Sequence, residues 1–272
     1  MLSQKLLQMS DSLFIDEVIT SLGNNWKIEA RTPFYSKFPC INLPSQNIFV
    51  ECIDLVEINK SLPDSAYFNS SADINYTRIK LWSDVWQKHR SIVISRLQAY
   101  SGKGRHIHGR DTNCVRLDKQ TSQTFLETHH LQGSTSAYYK YGLVCNDALV
   151  AVATFSKSRV MTDGPVYYRS YELERFCAAT GLRIVGGLSK LISHFLEQHQ
   201  AKHLMTYADA DWGIGHSYTK LGFTYEGYVE PQLFYCTNNI RYAANRLPAH
   251  INKNNCLIAY NSGAFKYILN RL

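Results

Sequence analysis

The segment Arg183-Ile184-Val185-Gly186-Gly187 has the residue types of a phosphate-binding turn. It leads into residues 187–199, whose apolar side chains recur at the spacing of one helix face. The first N–H groups of a helix have no partner within the helix, and the helix dipole is positive there. Glycines let a ligand approach the backbone. We therefore expect Arg183, Gly186 and Gly187 to bind a pyrophosphate group. The alternative is a tight turn that only packs on a strand.

Positive charge is concentrated in one part of the chain. Residues 74–119 contain ten Lys or Arg and three Asp or Glu, whereas the whole chain of 272 residues contains 29 and 22. Within this part, Lys103, Arg105, Arg110 and Arg116 are interspersed with glycines and histidines. A flexible basic loop of this kind suits contact with the phosphates of DNA. A solubilising surface loop is the alternative.

The composition is that of a folded protein from a reducing compartment. Apolar residues make up 45% and charged residues 19% of the chain, which excludes wholesale disorder. The seven cysteines are odd in number and form no C-x-x-C pair, which argues against a disulfide framework and a structural zinc site. The N-terminal MLSQKLLQMSDSLF lacks the apolar region of a signal peptide, and no run approaches eighteen apolar residues. We expect a cytoplasmic protein without a membrane partner.

Hydrophobic patterning predicts elements that would position the turn and the basic residues. In the first part of the chain it predicts a helix after Ser10-Asp11-Ser12, strands at 48–58 and 76–82, and a helix at 84–100. A second series then predicts a strand at 114–117, a helix at 122–130, a hairpin at 141–155 turning at Asn146-Asp147, a strand at 167–176, a helix at 187–199, a strand at 204–208, a helix at 217–221, and strands at 233–236 and 257–260. This order predicts an α+β (mixed α/β) architecture.

Two motifs resemble the GNAT acyltransferase superfamily. Arg183-x-x-Gly186-Gly187-Leu188 is similar to its [Q/R]-x-x-G-x-[G/A] motif, which binds the pyrophosphate of acyl-coenzyme A. Leu188 departs from that motif, because a small residue is expected there. The segment YTKLGF at 218–223 resembles the Y-x-x-L-G-F of many members. The resemblance implies a GNAT-like acyltransferase domain at 113–272, acyl-coenzyme A as cofactor, and a small α/β accessory region at 1–112.

The same part of the chain resembles, more specifically, a GNAT-like domain of phage-encoded proteins. The segments that begin HHLQG, YELERF and TYADAD contain five blocks of that domain in the same order, although His129, Leu188 and Asp211-Trp212 depart from its pattern. The domain is related to Mom-type proteins, which modify adenine in phage DNA and protect it from restriction. The resemblance therefore implies a phage or mobile-element enzyme that acts on a nucleobase amine.

Residues 79–97, IKLWSDVWQKHRSIVISRL, resemble the end of a Vsr-like endonuclease domain. A nuclease of this kind needs carboxylates and a lysine around Mg²⁺. Only Asp54, Glu57 and Lys60 are available here, and their spacing is poor. We expect a reduced, catalytically silent nuclease-like region that still holds DNA.

Acyl transfer to an amine needs a polarised carbonyl, an acceptor for the amine proton and a proton donor for the leaving thiolate. By the family resemblance, Asp209 is the candidate acceptor, Tyr218 the candidate donor, and His130 a candidate base or metal ligand. Glu172 or Glu174 would line the acceptor side. A turn aspartate, a core tyrosine and a structural histidine are the alternatives, and the metal requirement stays open.

Three other functions compete with a DNA-modifying acyltransferase. One is an active nuclease or homing-type endonuclease, and the second is a DNA-binding or inhibitor protein that keeps the acyltransferase fold only as a scaffold. The third is a transferase that acts on tRNA or a protein amine. If the acceptor is a base in duplex DNA, the enzyme must flip the base or use single-stranded DNA, and Trp212, Tyr138 and Tyr139 are available to stack on the base.

Overall fold

The computed structural model describes residues 13–24, 26–29, 38–56, 58, 77–102 and 104–271. The helices are α1 Leu13–Leu22, α2 Ser83–Tyr100, α3 Lys119–His129, α4 Gly187–His199 and α5 His216–Thr219. The first strands are β1 Lys27–Glu29, β2 Cys40–Leu43, β3 Ile48–Ile53, β4 Thr77–Trp82, β5 Arg105–His108 and β6 Asn113–Arg116. They are followed by β7 Tyr139–Cys145, β8 Ala148–Phe155, β9 Arg159–Asp163, β10 Val166–Ala178, β11 Leu182–Val185, β12 His203–Asp209, β13 Thr224–Val229, β14 Leu233–Thr237, β15 Ile240–Ala243, β16 Leu257–Tyr260 and β17 Ala264–Asn270.

These elements confirm the mixed α/β class that the sequence predicts. The chain divides into two compact units. Unit 1 comprises Met1–Ser101, Asp209–Ile214 and Val229–Ala264, and unit 2 comprises Gly102–Ala208, Gly215–Tyr228 and Phe265–Leu272. The boundary expected near residue 112, between an accessory region and a transferase domain, stays a prediction.

Unit 1 contains a four-stranded sheet in the order β1-β2-β3-β4, in which β3 and β4 are parallel and the other pairs antiparallel. Helix α2 follows β4 directly and buries Trp86, Ile92, Val93 and Leu97, as its apolar spacing predicts. A second sheet, in the order β15-β14-β16, belongs to the same unit. The strand predicted at 48–58 ends earlier, at Ile53, because the Asp54 carboxylate accepts the Val56 N–H and forms a turn. The predicted helix cap at Ser10-Asp11-Ser12 lies outside the described residues.

Unit 2 is built on a sheet in the order β13-β17-β12-β10-β8-β7-β6, with β9 paired to β10. The apolar stripe of α4 packs on one set of alternating side chains of this sheet, including Phe155 and Leu173, and forms the main core. Helix α3 packs Phe125 and Leu126 against Val152 in a separate cluster. The sheet is therefore covered by helices through two distinct apolar clusters, and α4 is fixed relative to β10.

The hairpin between β7 and β8 is confirmed. Asn146 and Asp147 both have positive φ, at 48° and 60°, as a two-residue turn of type I′ requires. The predicted helix at 187–199 is likewise confirmed at both ends. Asn and Asp tolerate this backbone region better than other residues with a Cβ, which is why the turn could be recognised in the sequence.

Two short strands were not expected. The prediction of an irregular basic loop is wrong for β5, and the segment before Gly186 is a strand, β11, rather than part of a turn. The two strands pair in parallel, from Arg105 opposite Leu182 to His108 opposite Val185. Ile184 is buried in the main core, and Ile107 of β5 and Leu182 of β11 pack against it, so inward apolar side chains stabilise both strands.

All seven cysteines are free thiols. Within the described part of the chain, no helix is both long enough and apolar enough to span a bilayer.

Candidate functional site

The turn that opens α4 leaves backbone accessible at Gly186. This residue has φ of 74°, which only glycine adopts at low cost, and a Cβ built on it would meet nothing within 4 Å. Gly187 differs, because a Cβ there would lie 2.7 Å from Ile184 Cγ2. Its hydrogen faces the core, so Gly187 is required for packing, while its predicted N–H contact with a ligand stays a prediction. Arg183 is exposed on β11, three residues before the turn.

A lysine in the first turn of α4 fixes the neighbouring segment. Lys190 Nζ donates a hydrogen bond of 2.9 Å to the Gly109 carbonyl and a second hydrogen bond to the Thr112 carbonyl. A Cβ on Gly109 would lie 3.1 Å from the Gly186 carbonyl carbon, so the two backbones are in close approach. Sequence reasoning missed Lys190. Its position one helical turn after Gly186 is the only signal that could have indicated it.

Strands β10 and β12 separate near the middle of the sheet. They are parallel neighbours, and their paired positions are Ser170–Leu173 with His203–Thr206. The Thr206 hydroxyl donates a hydrogen bond of 3.1 Å to the Leu173 carbonyl at the last pair. Beyond it, β10 continues to Ala178 and β12 to Asp209 without further pairing between them. The two strands thus diverge at their carboxyl ends, on the side where the chain proceeds to the Gly186 turn.

A bulge in β10 lies at the same level. The register between β10 and β8 shifts between Leu173 and Arg175, so Glu174 has no residue directly opposite it on β8. The Arg175 guanidinium bonds the Glu174 carbonyl at 2.8 Å and the Gly133 carbonyl at 3.3 Å. Bulges re-aim backbone and side chains and are common beside active sites. The bulge and the strand divergence together mark this part of β10 as the candidate reaction centre.

Glu172 is a half-buried carboxyl directly before Leu173, the last residue of β10 that pairs with β12. Burial raises the pKa of this carboxyl, the negative charge of Glu174 raises it further, and Arg159 and Arg175 oppose the rise. Tyr207 lies on the same face of the sheet, since Glu172 pairs with Met205 two residues before it. Burial and the charge of Glu172 raise the pKa of the Tyr207 phenol. Glu172 is therefore a carboxyl that can take up a proton more readily than an exposed glutamate.

His130 lies in the turn that follows α3. Its Nδ1 accepts the Gln132 N–H at 3.1 Å, so the neutral ring carries its proton on Nε2 and offers a donor there. The turn is connected to β10 through the bond from Arg175 to Gly133, described above. The preceding residue, His129, bonds the Thr180 hydroxyl at 3.0 Å in the loop after β10. The predicted catalytic histidine thus belongs to a segment attached to the bulged strand.

Asp209 is the last residue of β12 and the first of the unit 1 segment Asp209–Ile214. Its Oδ1 accepts the Asp211 N–H at 3.0 Å, and its carbonyl accepts the Trp212 N–H at 3.0 Å. These are the bonds of a turn-forming aspartate, which is the alternative that the sequence left open. Its predicted role as a proton acceptor stays a prediction.

Tyr218 lies in α5 within unit 2. Its ring packs against Phe223 and Tyr267 with centroid separations of 5.6 Å for both pairs. Its backbone carbonyl accepts the Leu221 and Phe223 N–H groups, which closes the turn at the end of the helix. The ring is thus fixed by packing, and a proton donor must be held in one orientation. The role of Tyr218 as a proton donor stays a prediction.

The basic residues fall at different places in unit 2. Arg105 lies on β5, Arg110 in the helical turn after it, and Arg116 on β6 at the edge of the main sheet, and all three are exposed. Arg110 has an ion pair of 3.7 Å with Asp111. Lys103 lies outside the described residues. Contact of these residues with DNA stays a prediction.

Of the nuclease candidates, Asp54 forms the turn after β3, and Glu57 and Lys60 lie outside the described residues. Among the described residues of unit 1, the buried carboxylates are Glu51 on β3, which is 4% exposed and forms an ion pair of 2.7 Å with Arg78 on β4, and Asp211, which accepts the Trp82 indole N–H at 2.9 Å. The described residues include no group of three or more His, Cys, Asp or Glu arranged to hold a metal ion.

No protein-family model matches the sequence, and the search of curated proteins gives no match. Solved structures of acetyltransferases are similar to part of the chain. A histone acetyltransferase HPA2-related protein from Corynebacterium glutamicum has 9% sequence identity and a TM-score of 0.37, over 60% of this chain and 97% of that one.

The ribosomal-protein-S18-alanine N-acetyltransferase from Escherichia coli has 14% identity and a TM-score of 0.39, over 59% of this chain and 94% of that one. A GNAT family acetyltransferase from Elizabethkingia anophelis, with acetyl-CoA bound, has 11% identity and a TM-score of 0.33, over 59% and 98%.

Proposed function

We propose that this protein is a GNAT-like acyltransferase that binds acyl-coenzyme A at the Gly186 turn. The proposal rests on the separation of the parallel strands β10 and β12 beyond Leu173 and Thr206. This separation lies at the end of the sheet from which the chain continues to the Gly186 turn. Ligands of α/β sheets bind beyond the carboxyl ends of parallel strands where neighbouring strands separate. The sequence motif at 183–188 supports the same proposal.

The residues at the turn fit such a cofactor. Gly186 faces open space, as a backbone contact with a pyrophosphate needs, and Gly187 and Leu188 supply the first N–H groups of α4. Arg183 supplies an exposed guanidinium on β11, three residues before the turn. When bound, acyl-coenzyme A supplies an activated thioester carbonyl.

The chain's own residues then move two protons. The amine nitrogen of the acceptor bonds the acyl carbon as the carbon–sulfur bond breaks, and we assign Glu172 or Asp209 to take the proton that the amine loses. The raised pKa of Glu172 suits this role, because a general base works best when its pKa approaches the working pH. Tyr218 donates a proton to the leaving thiolate, and Nε2–H of His130 can donate a hydrogen bond to the carbonyl oxygen.

The acceptor we propose is a nucleobase amine in DNA, with a role in protecting phage or mobile-element DNA from restriction. The sequence resemblance to Mom-type proteins is the main support. The exposed arginines Arg105, Arg110 and Arg116 add cationic surface on unit 2. Tyr138 is 58% exposed and packs on Tyr139 with a ring-centroid separation of 4.7 Å, and the Trp212 ring lies 4.4 Å from the Arg96 guanidinium. The exposed part of the Tyr138 ring is available to stack on a base.

For unit 1 we propose an accessory role without nuclease activity. The buried carboxylate Glu51 is neutralised by Arg78 rather than left to bind a cation. The active nuclease named above remains the competing hypothesis. Plasmid cleavage in Mg²⁺ that is lost in Asp54→Ala would decide for it.

The proposed function is tested by nucleoside mass spectrometry of DNA from cells that express the protein, together with coenzyme A binding to the purified chain. We expect a modified base with the wild type, none with Gly186→Ala, and the wild-type amount with Gly227→Ala, whose added Cβ meets nothing within 4 Å. Gly186→Ala should also lower the affinity for coenzyme A by about tenfold or more, since the added methyl group would fill the open space through which the pyrophosphate approaches the backbone.

The two measurements separate the parts of the proposal. Binding of coenzyme A without a modified base would contradict DNA as the acceptor and direct attention to tRNA or a protein amine. No binding of coenzyme A, together with tight salt-sensitive DNA binding, would overturn the transferase proposal in favour of a DNA-binding protein.

A further inference from the structure

Strand β5 adds a row of side chains beside the Gly186 turn. Its parallel register with β11 places His106 opposite Arg183 and His108 opposite Val185. Directly opposed side chains of neighbouring strands point to the same face and lie about 5 Å apart. The cofactor-binding arginine thus has an imidazole beside it that the sequence motif does not contain.

The face that carries these side chains is open to solvent. Ile107 and Ile184 occupy the alternate positions and point into the core, with Ile184 only 8% exposed. His106, His108 and Arg183 are accordingly exposed, and Val185 is 43% exposed. We call this two-stranded surface, formed by His106, His108, Arg183 and Val185, the β5–β11 face.

The β5–β11 face is held in a fixed position relative to the turn. The Arg105 N–H donates to the Gly181 carbonyl at 3.2 Å, which fixes the start of β5. The bonds from Lys190 to Gly109 and Thr112 fix the segment after its end. Both strands run toward α4. His108 directly precedes Gly109 and Val185 directly precedes Gly186, and the backbones of these two glycines are in close approach.

The chemistry of the face is that of an anion site. Neither β5, with the sequence RHIH, nor β11, with the sequence LRIV, contains an acidic residue. An arginine and two imidazoles can donate several hydrogen bonds to one phosphate group. At about 3.3 Å per residue, Arg183 and His106 lie roughly 10 Å along the strand from Gly186. A ligand that reaches both places must carry a second phosphate at some distance from its pyrophosphate.

We propose that the β5–β11 face binds the 3′-phosphate of the cofactor's nucleotide end, with Val185 in contact with its nucleoside. The inference rests on the proposed function, because it takes coenzyme A to be the ligand of the turn. Coenzyme A carries a ribose 3′-phosphate in addition to its pyrophosphate, and dephospho-coenzyme A lacks only this group. His106 and His108 therefore make the site selective for the 3′-phosphorylated cofactor.

The test is calorimetric titration of the full chain with coenzyme A and with 3′-dephospho-coenzyme A. We expect the wild type to prefer coenzyme A by about tenfold, as one or two hydrogen bonds to a charged group would give. The double variant His106→Gln/His108→Gln should lose most of that preference and keep its affinity for the dephosphorylated ligand. His250→Gln, at an exposed histidine of unit 1, is the matched control and should keep the preference.

A second variant guards against a general defect of the double variant. Arg183→Gln should reduce the preference for the 3′-phosphate as well, together with some loss for both ligands. Equal binding of the two ligands by the wild type would overturn the inference and leave the proposed function standing. Retention of the preference in the double variant would do the same. If neither ligand binds the wild type, the proposed function fails and this inference fails with it.

DNA is the other polyanion that the same side chains could meet. Its binding should then be measured for the wild type and the double variant as a function of salt concentration. A loss of DNA affinity in a double variant that still prefers coenzyme A over its dephosphorylated form would assign the β5–β11 face to DNA and overturn the inference.

Discussion

The two units treat charged side chains in opposite ways. In unit 1, the buried or half-buried acids are neutralised internally: Glu51 pairs with Arg78, Asp84 pairs with Arg241, and Asp211 accepts the Trp82 indole N–H and the Ser262 N–H. In unit 2, Arg183 and the two histidines of the β5–β11 face are exposed on strands without acids, and burial raises the pKa of Glu172. Charges satisfied within a unit contribute to its structure, whereas exposed ones are available to a ligand.

The Asp84–Arg241 pair shows how completely unit 1 uses its charges. The Arg241 Nε donates to both carboxylate oxygens of Asp84 at 3.0 Å, and the guanidinium lies 4.2 Å from the centre of the Trp82 ring. The pair joins the start of α2 to β15, which are more than 150 residues apart in sequence. Removing one partner leaves the other charge in a largely desolvated place.

The largest effect is expected for Arg241→Ala. Since Asp84 and Arg241 have side chains only 16% and 10% exposed, the free energy of unfolding should fall by about 3 kcal/mol or more in urea denaturation. Arg110→Ala, at a side chain 82% exposed, is the control and should change it by less than about 0.5 kcal/mol. A stable Arg241→Ala variant that loses DNA binding would contradict the difference between the two units, because it would show that the Arg241 charge binds a ligand rather than stabilising unit 1.

A smaller effect is expected at the two adjacent glycines, and it should differ in kind. Gly187→Ala pushes a methyl group against Ile184 and should lower the free energy of unfolding by about 1–3 kcal/mol. In Gly186→Ala the added methyl group meets open space, so only the positive φ should lower the free energy of unfolding, by roughly 1–2 kcal/mol. This variant should weaken coenzyme A binding more strongly than Gly187→Ala does. Thermal denaturation and calorimetry measure the two effects, and equal losses of stability and affinity at both positions would contradict the distinction.

The smallest effect is a shift in pH dependence at Glu172. As a base it must be ionised, so the transfer rate should rise with pH through its raised pKa. Glu174→Gln removes a negative charge that raises this pKa, and should move the acid limb of the rate profile to lower pH. Arg159→Gln removes a positive charge that lowers it, and should move the limb the other way. Shifts in the same direction for both variants, or none, would show that a different group takes the proton.

The elements that the sequence predicts well are those with strong local signals. Helix α4 has a continuous apolar stripe and a glycine start, and the β7–β8 hairpin has Asn146-Asp147 at the turn. Strands β5 and β11 have four residues each, which is too short for an alternating pattern to stand out, although Ile107, Leu182 and Ile184 all pack in the main core. Each is stabilised by the other, 77 residues away in register, and that pairing cannot be recognised from either segment alone.

The candidate site was predictable to the same extent. Motif spacing located Arg183, Gly186 and Gly187, because a backbone turn constrains the residue types that form it. The motif could not show that Gly186 faces open space while Gly187 packs against the core. That packing depends on contacts with Ile184 and with Leu143, which lies on another strand. Lys190 was missed because its partners are two backbone carbonyls, which leave no mark in the sequence.

The position of β17 has a consequence for how the chain acquires its fold. This strand is the last in sequence, yet it lies between β13 and β12 in the sheet of unit 2. During synthesis, β13 therefore leaves the ribosome without its sheet neighbour, and more than thirty residues follow before that neighbour is made. Closure of this sheet is a late event that depends on non-local pairing, which is intrinsically slow. Until β17 is made, β12 presents an open edge to other chains, so the nascent protein is exposed to aggregation at this edge.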